Sequence, residues 1–290
     1  MRKTDNVKVL PSPYREKILG RRAEYEAKGW FDRDLEDDPP APVLKPDQVD
    51  YLGDSAGTRL QTRMANRVAH AFYEKKIREG QLIIKEIKGY ENYTAVKGGA
   101  ILTCNHFHPY DNYAVYKAIE PSLKAEGRQL YKVIREGNYT NFPGLYGYFF
   151  RHCNTLPLSS DFDTMKKMLR SVDTLLDRGE KILIYPEQGM WWNYRKPRPL
   201  KDGAFQMAER SGVPVIPFFI SMEDGEDVDE EGYPVQMYTV HILPAVYPTK
   251  KEGQTRRQTV WEMNQAVFRG MKETYEMAYG CPLRYGSDIV

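Results

Sequence analysis

From Leu82 onward the chain alternates between two hydrophobic periods. Short apolar runs at Leu82 to Ile87, Ala100 to Cys104, Leu130 to Ile134, Thr155 to Leu158, Lys181 to Tyr185, Val215 to Ile220 and Tyr238 to Leu243 have the length of covered strands. Between them, apolar residues fall three and four apart. A helix is predicted from about Asp111 to Ile119, and Met165, Met168, Leu169, Val172, Leu175 and Leu176 mark one face of another, with Gly179 placed to end it. A helix near Val260 to Tyr279 closes the series. This alternation predicts an α/β fold with a mostly parallel central sheet flanked by helices and preceded by an N-terminal helical arm.

The arm has its own pattern. A helix is predicted around Tyr14 to Lys28, and then Asp37-Asp38-Pro39-Pro40-Ala41-Pro42 stops regular structure, which marks a linker or a wrapping segment. From Thr58 to Glu79, Leu60, Met64, Val68, Phe72 and Ile77 recur at roughly helical spacing among Arg59, Arg63, Arg67, Lys75, Lys76 and Arg78. Such a helix either packs on the main domain with a solvated basic face, the commoner case, or lies on an anionic membrane. Residues 1–80 are therefore set apart as arm and amphipathic helix, and residues 81–290 as the α/β domain. The acidic run from Glu223 to Glu231 reads as an exposed loop before the last strand, without the ligand pattern of a calcium loop.

Charge and cysteines narrow the function classes. A net charge of +2 with 28% charged residues gives no global field for nucleic acid, so no nucleic-acid partner is expected. Cys104, Cys153 and Cys281 form neither a disulfide framework nor a metal knuckle, which fits a reducing, cytoplasmic location. Met1 to Asn6 lack the apolar core of a signal peptide, and no apolar run is long enough to span a bilayer. Membrane contact is expected to be peripheral.

The chemistry concentrates at two strand ends. Cys104-Asn105-His106-Phe107-His108-Pro109-Tyr110-Asp111 follows one apolar run, and Tyr185-Pro186-Glu187-Gln188-Gly189 follows another. In a parallel sheet, neighbouring strand ends of this kind build one site. A neutral imidazole at His106 can take a proton from a hydroxyl if a partner fixes its tautomer, and Asp111 in the first turn of the next helix can fold back to do so. The same residues are equally a capping aspartate and an unrelated turn histidine. His106 and His108 with Asp111 or Glu187 could also bind a metal, but apart from His152 no other histidine stands at a strand end and no Cys-X-X-Cys pair supports that set, so no metal is expected. The absence of a Gly-X-Ser-X-Gly elbow argues against a serine esterase and for direct attack by a substrate hydroxyl.

These residues resemble the glycerolipid acyltransferases of the lysophosphatidic acid acyltransferase type, which carry four ordered sequence blocks. Asn105-His106 through Asp111 resembles the His-X4-Asp block, and Phe142 to Arg151 with Thr155-Leu156-Pro157-Leu158 is similar to the second. Tyr185 to Gly189 resembles the third, and Val213-Pro214-Val215-Ile216-Pro217, preceded by Lys201-Asp202-Gly203-Ala204, the fourth. The order and spacing match across about residues 82–245. The resemblance implies transfer of a fatty acyl group from a thioester, acyl-CoA or acyl-ACP, to a hydroxyl of a lysophospholipid or glycerolipid precursor. It implies His106 as base, Asp111 as its orienter, Glu187 and Gly189 beside the acceptor, and Val215 and Pro217 in an apolar wall for the acyl chain. Beyond the thioester co-substrate no cofactor is implied. The implied partners are the donor, an acyl carrier protein where that is the carrier, and a lipid acceptor. The implied location is cytoplasmic, peripheral on the inner face of the membrane.

Two positions depart from the pattern. The family's arginines for an acceptor phosphate fall here on Met190 and near Ser159 or Ser160. Arg195 and Arg198, with Lys196 and Lys201, either rebuild an anion site or form a solvated loop face. Trp191 and Trp192 suit a membrane interface or, more commonly, a core. A sugar or other hydroxyl acceptor and a thioester hydrolase therefore stand as alternatives.

Overall fold

The computed structural model describes residues 11–286, so the reading of Met1 to Asn6 lies outside the described residues. Among them, β1 (Ile83–Lys88), β2 (Ala100–Thr103), β3 (Leu130–Ile134), β4 (Thr155–Pro157), β5 (Lys181–Ile184), β6 (Val215–Val228) and β7 (Pro234–Ile242) form one sheet. The strand order is β1-β7-β6-β2-β5-β3-β4. Every neighbouring pair is parallel except β6 with β7. The helices are α1 (Pro13–Ala27), α2 (Ala56–Arg78), α3 (Tyr90–Thr94), α4 (Asp111–Glu126), α5 (Glu136–Thr140), α6 (Gly144–His152), α7 (Phe162–Asp177), α8 (Gly203–Ser211) and α9 (Arg256–Tyr279). The expected α/β class, mostly parallel sheet and N-terminal helix are all present.

The sheet is covered on both faces, as continuous apolar strands require. One face buries Leu102, Leu183, Ile216 and Ile220 against Ala114, Val115 and Ala118 of α4. The other buries Ile101, Ile182, Val215 and Phe219 against the Met168 to Leu176 stripe of α7, with α8 and α9 alongside.

Three boundaries differ from the sequence reading. The acidic run is mainly strand: β6 continues through Glu223 and Asp224 to Val228 and pairs antiparallel with β7, which leaves only residues 229–233 as the turn. An antiparallel ribbon projecting past the sheet is solvated, so charged side chains suit it, and Lys85 and Arg195 pair with Glu223 and Asp224. Helix α4 runs past Ile119 and through Pro121 to a stop at Gly127, whose φ of 64° is a left-handed cap. Helices α5, α6 and α8 carry no long periodic signal in the sequence, being 5, 9 and 9 residues long.

The arm is wrapped onto the domain. Ile18 and Leu35 are buried with Trp191, Trp192 and Tyr194, so the two tryptophans are core residues and not a membrane interface. Further along, Leu44, Val49 and Tyr51 join the α7 face. Helix α2 buries Ala65 and Tyr73 and leaves Leu60, Met64 and Val68 exposed beside Arg59, Arg63 and Arg67. Among the described residues, no helix is long and apolar enough to cross a membrane.

Candidate active site

Strand β2 ends at Thr103, and the next residues are locked in place by neighbours on both sides. Asn105 imitates a strand residue with its amide, which donates to the Ile220 carbonyl at 3.0 Å and accepts from the Ile220 N–H at 2.8 Å. The carbonyls of His106 and Phe107 accept from Trp191 and Asn193 N–H groups at 3.0 and 2.9 Å. The turn that carries His106 is therefore tied to β6 and to the segment after β5.

Asp111 opens α4, where a carboxylate is favoured by the helix N-terminus. It is fully buried, and its carboxylate accepts four hydrogen bonds. Oδ2 takes His106 Nδ1 at 2.8 Å and the N–H groups of Phe107 and His108 at 3.0 and 3.2 Å. Oδ1 takes the Tyr185 hydroxyl at 2.6 Å. Burial alone would raise the Asp111 pKa, but His106 and these donors outweigh it and hold it below the usual carboxylate range. An ionised Asp111 that accepts from Nδ1 fixes the histidine tautomer, so Nε2 carries the free lone pair.

Tyr185 adds a second constraint. Its ring stacks on His106 with centroids 4.0 Å apart and 18° between planes. Burial and the neighbouring Asp111 charge push its pKa well above the ordinary phenol value, so it acts as a fixed donor. The His106 side chain retains 23% exposure. It lines a cavity of about 610 Å³ together with Tyr73, Tyr113, Tyr146, Phe149 and Ile184.

Glu187 lies in the turn after β5 and is buried, so it does not present its carboxylate to the cavity. Its Oε2 accepts the His106 N–H at 3.1 Å, its Oε1 accepts the Arg198 N–H at 2.8 Å, and the Arg198 guanidinium pairs with it at 3.2 Å. Burial raises its pKa above the usual value against the pull of Arg198. Glu187 thus holds the backbone of His106. Gly189 is also a packing residue, since a β-carbon there would collide with Asp34 of the arm.

The expected cations are placed elsewhere too. Arg198 is fully buried and spends its guanidinium on Glu187 and on the carbonyls of Phe31 and Gly189. Arg195 turns to Asp224 and Gln236 on the β6–β7 ribbon. Neither lines the cavity; Arg135 and Lys201 do. Arg135 pairs with Asp34 and Asp38, and Lys201 lies 3.6 Å from Asp32, all three carboxylates belonging to the arm. At the positions of the absent family arginines, Met190 lines the cavity, and Ser159 and Ser160 donate to Glu136.

Val215 and Pro217 are buried in the sheet beside β2, and the cavity wall is made without them. The wall comes instead from α2, α4, α6 and the edges of β3 and β5. Sequence reasoning missed Tyr73, Tyr113, Tyr146 and Phe149 as one surface, although Phe149 and Tyr146 stand in the second sequence block. Tyr185 was legible only as part of a motif; its place directly after a strand adjacent to β2 was the available signal.

A metal set is not assembled. Both oxygens of Asp111 and Glu187 are committed as above, and His108 Nδ1 accepts the Tyr110 N–H at 3.2 Å. Among the described residues, no cluster of three or more His, Cys, Asp and Glu is arranged to hold a metal ion.

Residues 85–221 match the family model described as Acyltransferase. No curated protein matches the chain significantly. Among solved structures, the chain is similar to the 1-acyl-sn-glycerophosphate (LPA) acyltransferase PlsC from Thermotoga maritima, at 18% identity and a TM-score of 0.46, over 75% of this chain and 79% of that one. The residues matched by the Acyltransferase model include His106, Asp111 and Glu187.

Proposed function

We propose that this chain moves a fatty acyl group from an acyl thioester, on coenzyme A or acyl carrier protein, to the hydroxyl of a lysophospholipid or glycerolipid precursor. The observation that carries the reading is the His106–Asp111 pair, 2.8 Å apart, at the rim of a largely aromatic cavity. His106 Nε2 takes the acceptor's hydroxyl proton as the oxygen attacks the thioester carbonyl. The tetrahedral intermediate collapses with loss of the thiolate, and the imidazolium returns its proton to that sulfur. Asp111 keeps the ring in the productive tautomer and stabilises the imidazolium. The acyl chain lies in the cavity between Tyr73, Tyr113 and Phe149.

The acceptor's headgroup is open to a second reading, on a specific observation. Where a phosphate would call for free guanidinium groups, Arg135 is already paired with Asp34 and Asp38. That arrangement favours an uncharged polyhydroxyl acceptor, such as a sugar lipid. Attachment to the inner membrane face would use the outer side of α2, where Leu60, Met64 and Val68 stand exposed beside a row of arginines.

The test is release of free thiol from palmitoyl-coenzyme A, and from the matching acyl carrier protein thioester, with and without a panel of lysolipid and glycolipid acceptors. Acceptor-dependent release that falls by about 10²- to 10⁴-fold in His106→Ala is the expected result. Release of equal size without any acceptor would make the protein a thioester hydrolase, and release unchanged in the variant would remove His106 from the chemistry.

A further inference from the structure

Among the described residues, one half-buried cation lining the cavity has no hydrogen-bond or ion-pair partner on its side chain. Lys132 stands in the middle of β3, on the same face as Leu130 and Ile134, and all three line the cavity. Among the described residues its side chain makes no hydrogen bond and no ion pair, in contrast to Arg135 and Lys201 at the cavity mouth. Thr155 is its register partner on β4, its backbone N–H donates to the Asn154 carbonyl at 2.9 Å, Cys153 is close enough to act on its charge, and the Asn154 side-chain NH2 donates to Gln129 at 3.2 Å. No carboxylate is close enough to offset burial, which lowers the Lys132 pKa.

The sheet register gives the depth. Lys132 is level with Leu183 of β5, and Leu183 is level with Leu102 of β2. His106 follows Leu102 by four residues in the sequence. At about 3.3 Å per extended residue, Lys132 therefore lies no more than about 13 Å below the base along the strand direction. Gln129, Asn154 and Thr155 at this end also line a second cavity, of about 500 Å³. The aromatic wall thus runs from His106 to a polar floor.

We propose that Lys132 is a specificity residue for the acyl chain, a subsite that takes a hydrogen-bond-accepting oxygen carried at or near the chain's distal end. The inference rests on the reading that the acyl group occupies this cavity. A plain hydrocarbon chain that reaches this level strips water from the lysine and returns no hydrogen bond. A chain ending in a hydroxyl or a carboxylate supplies the missing partner. The two oxygen sources differ in charge, and a carboxylate pairs the more strongly with a protonated lysine.

The experiment compares matched series of plain, ω-hydroxy and ω-carboxy acyl-coenzyme A thioesters, octanoyl to hexadecanoyl, with wild type, Lys132→Met and Lys132→Gln. The expected result is a wild-type kcat/KM ratio of about tenfold or more for an oxygenated chain over its plain counterpart at one intermediate length. Lys132→Met reverses that ratio and extends the range of plain chains, and Lys132→Gln keeps part of the preference for the hydroxy series. A larger advantage for the ω-carboxy series identifies a charged terminus; an equal one identifies a hydroxyl. A ratio unchanged by both substitutions overturns the subsite while leaving acyl transfer intact. Equilibrium binding of the corresponding free fatty acids gives an independent readout. If binding selectivity follows Lys132 while no thioester is consumed, the subsite stands and the transfer reading falls. If neither measurement responds to Lys132, the subsite falls.

Discussion

Asp111 and Glu187 look alike in sequence, each a carboxylate within eight residues of the end of an apolar run, and both are buried in the fold; yet they meet different halves of the same histidine. Asp111 meets the imidazole ring, with three further donors on its oxygens, and burial is overcome so that its pKa falls. Glu187 meets the histidine's backbone N–H and a buried arginine, and burial prevails so that its pKa rises. The difference lies in the type of partner. A carboxylate at a helix N-terminus beside a partly exposed imidazole stays ionised at little cost, whereas one paired with a fully buried guanidinium carries the desolvation of both charges. One residue holds the ring of His106 and the other its backbone.

The sharpest way to break that comparison is Asp111→Asn. The amide keeps the size of the side chain but no longer stabilises an imidazolium, and it can favour the wrong ring tautomer. A loss of about 10³- to 10⁴-fold in kcat is expected with little change in acceptor KM. The measurement is steady-state thiol release across acceptor concentrations. A loss of tenfold or less would mean that Asp111 is only a helix cap.

Glu187→Gln should give the opposite signature. Removing the carboxylate charge leaves Arg198 buried and unpaired, a change worth about 3–5 kcal/mol in stability. Thermal unfolding should therefore shift down strongly, while kcat of the folded fraction falls by roughly tenfold, because the amide oxygen still accepts one N–H. If Tm is unchanged and activity is lost instead, Glu187 contacts the acceptor after all, and the ion pair with Arg198 opens in the working enzyme.

This contrast shows which parts of the molecule the chain discloses by itself. The sheet and the His106 corner were legible because local rules determine them: apolar runs of strand length, and a carboxylate placed for the first turn of a helix. The His106–Asp111 approach needs only five residues of chain. The surroundings of Glu187, Gly189, Arg195 and Arg198 were not legible, because their partners are remote in sequence. The Arg198 site depends on Phe31, 167 residues away, and the Gly189 position on Asp34 of the arm. Tertiary wrapping by the arm makes core of a loop whose paired tryptophans left interface and core both open in the sequence. The cavity wall was similarly hidden, since Tyr73, Tyr113 and Phe149 come from three helices whose meeting no single periodicity reports.

The smallest effect concerns the other histidine of the motif. Burial, the largest influence on His108, pushes its pKa down to about 4; Arg15 and His106 add to the shift, and Asp111 and Asp229 oppose it. The folded state thus binds this proton more weakly than the unfolded chain, whose histidine titrates near 6.5. Its neutral form contributes stability that is complete above about pH 6.5 and is lost as pH falls toward 4. The linkage is at most about 3 kcal/mol. His241, also held near 4 by burial, adds a parallel slope. His108→Gln should flatten the decline of Tm between pH 6.5 and 4 without abolishing it, read by thermal unfolding across that range. A slope identical to wild type would show that His108 is solvated, and the cavity side of this turn would then be more open than Asp111's complete burial indicates.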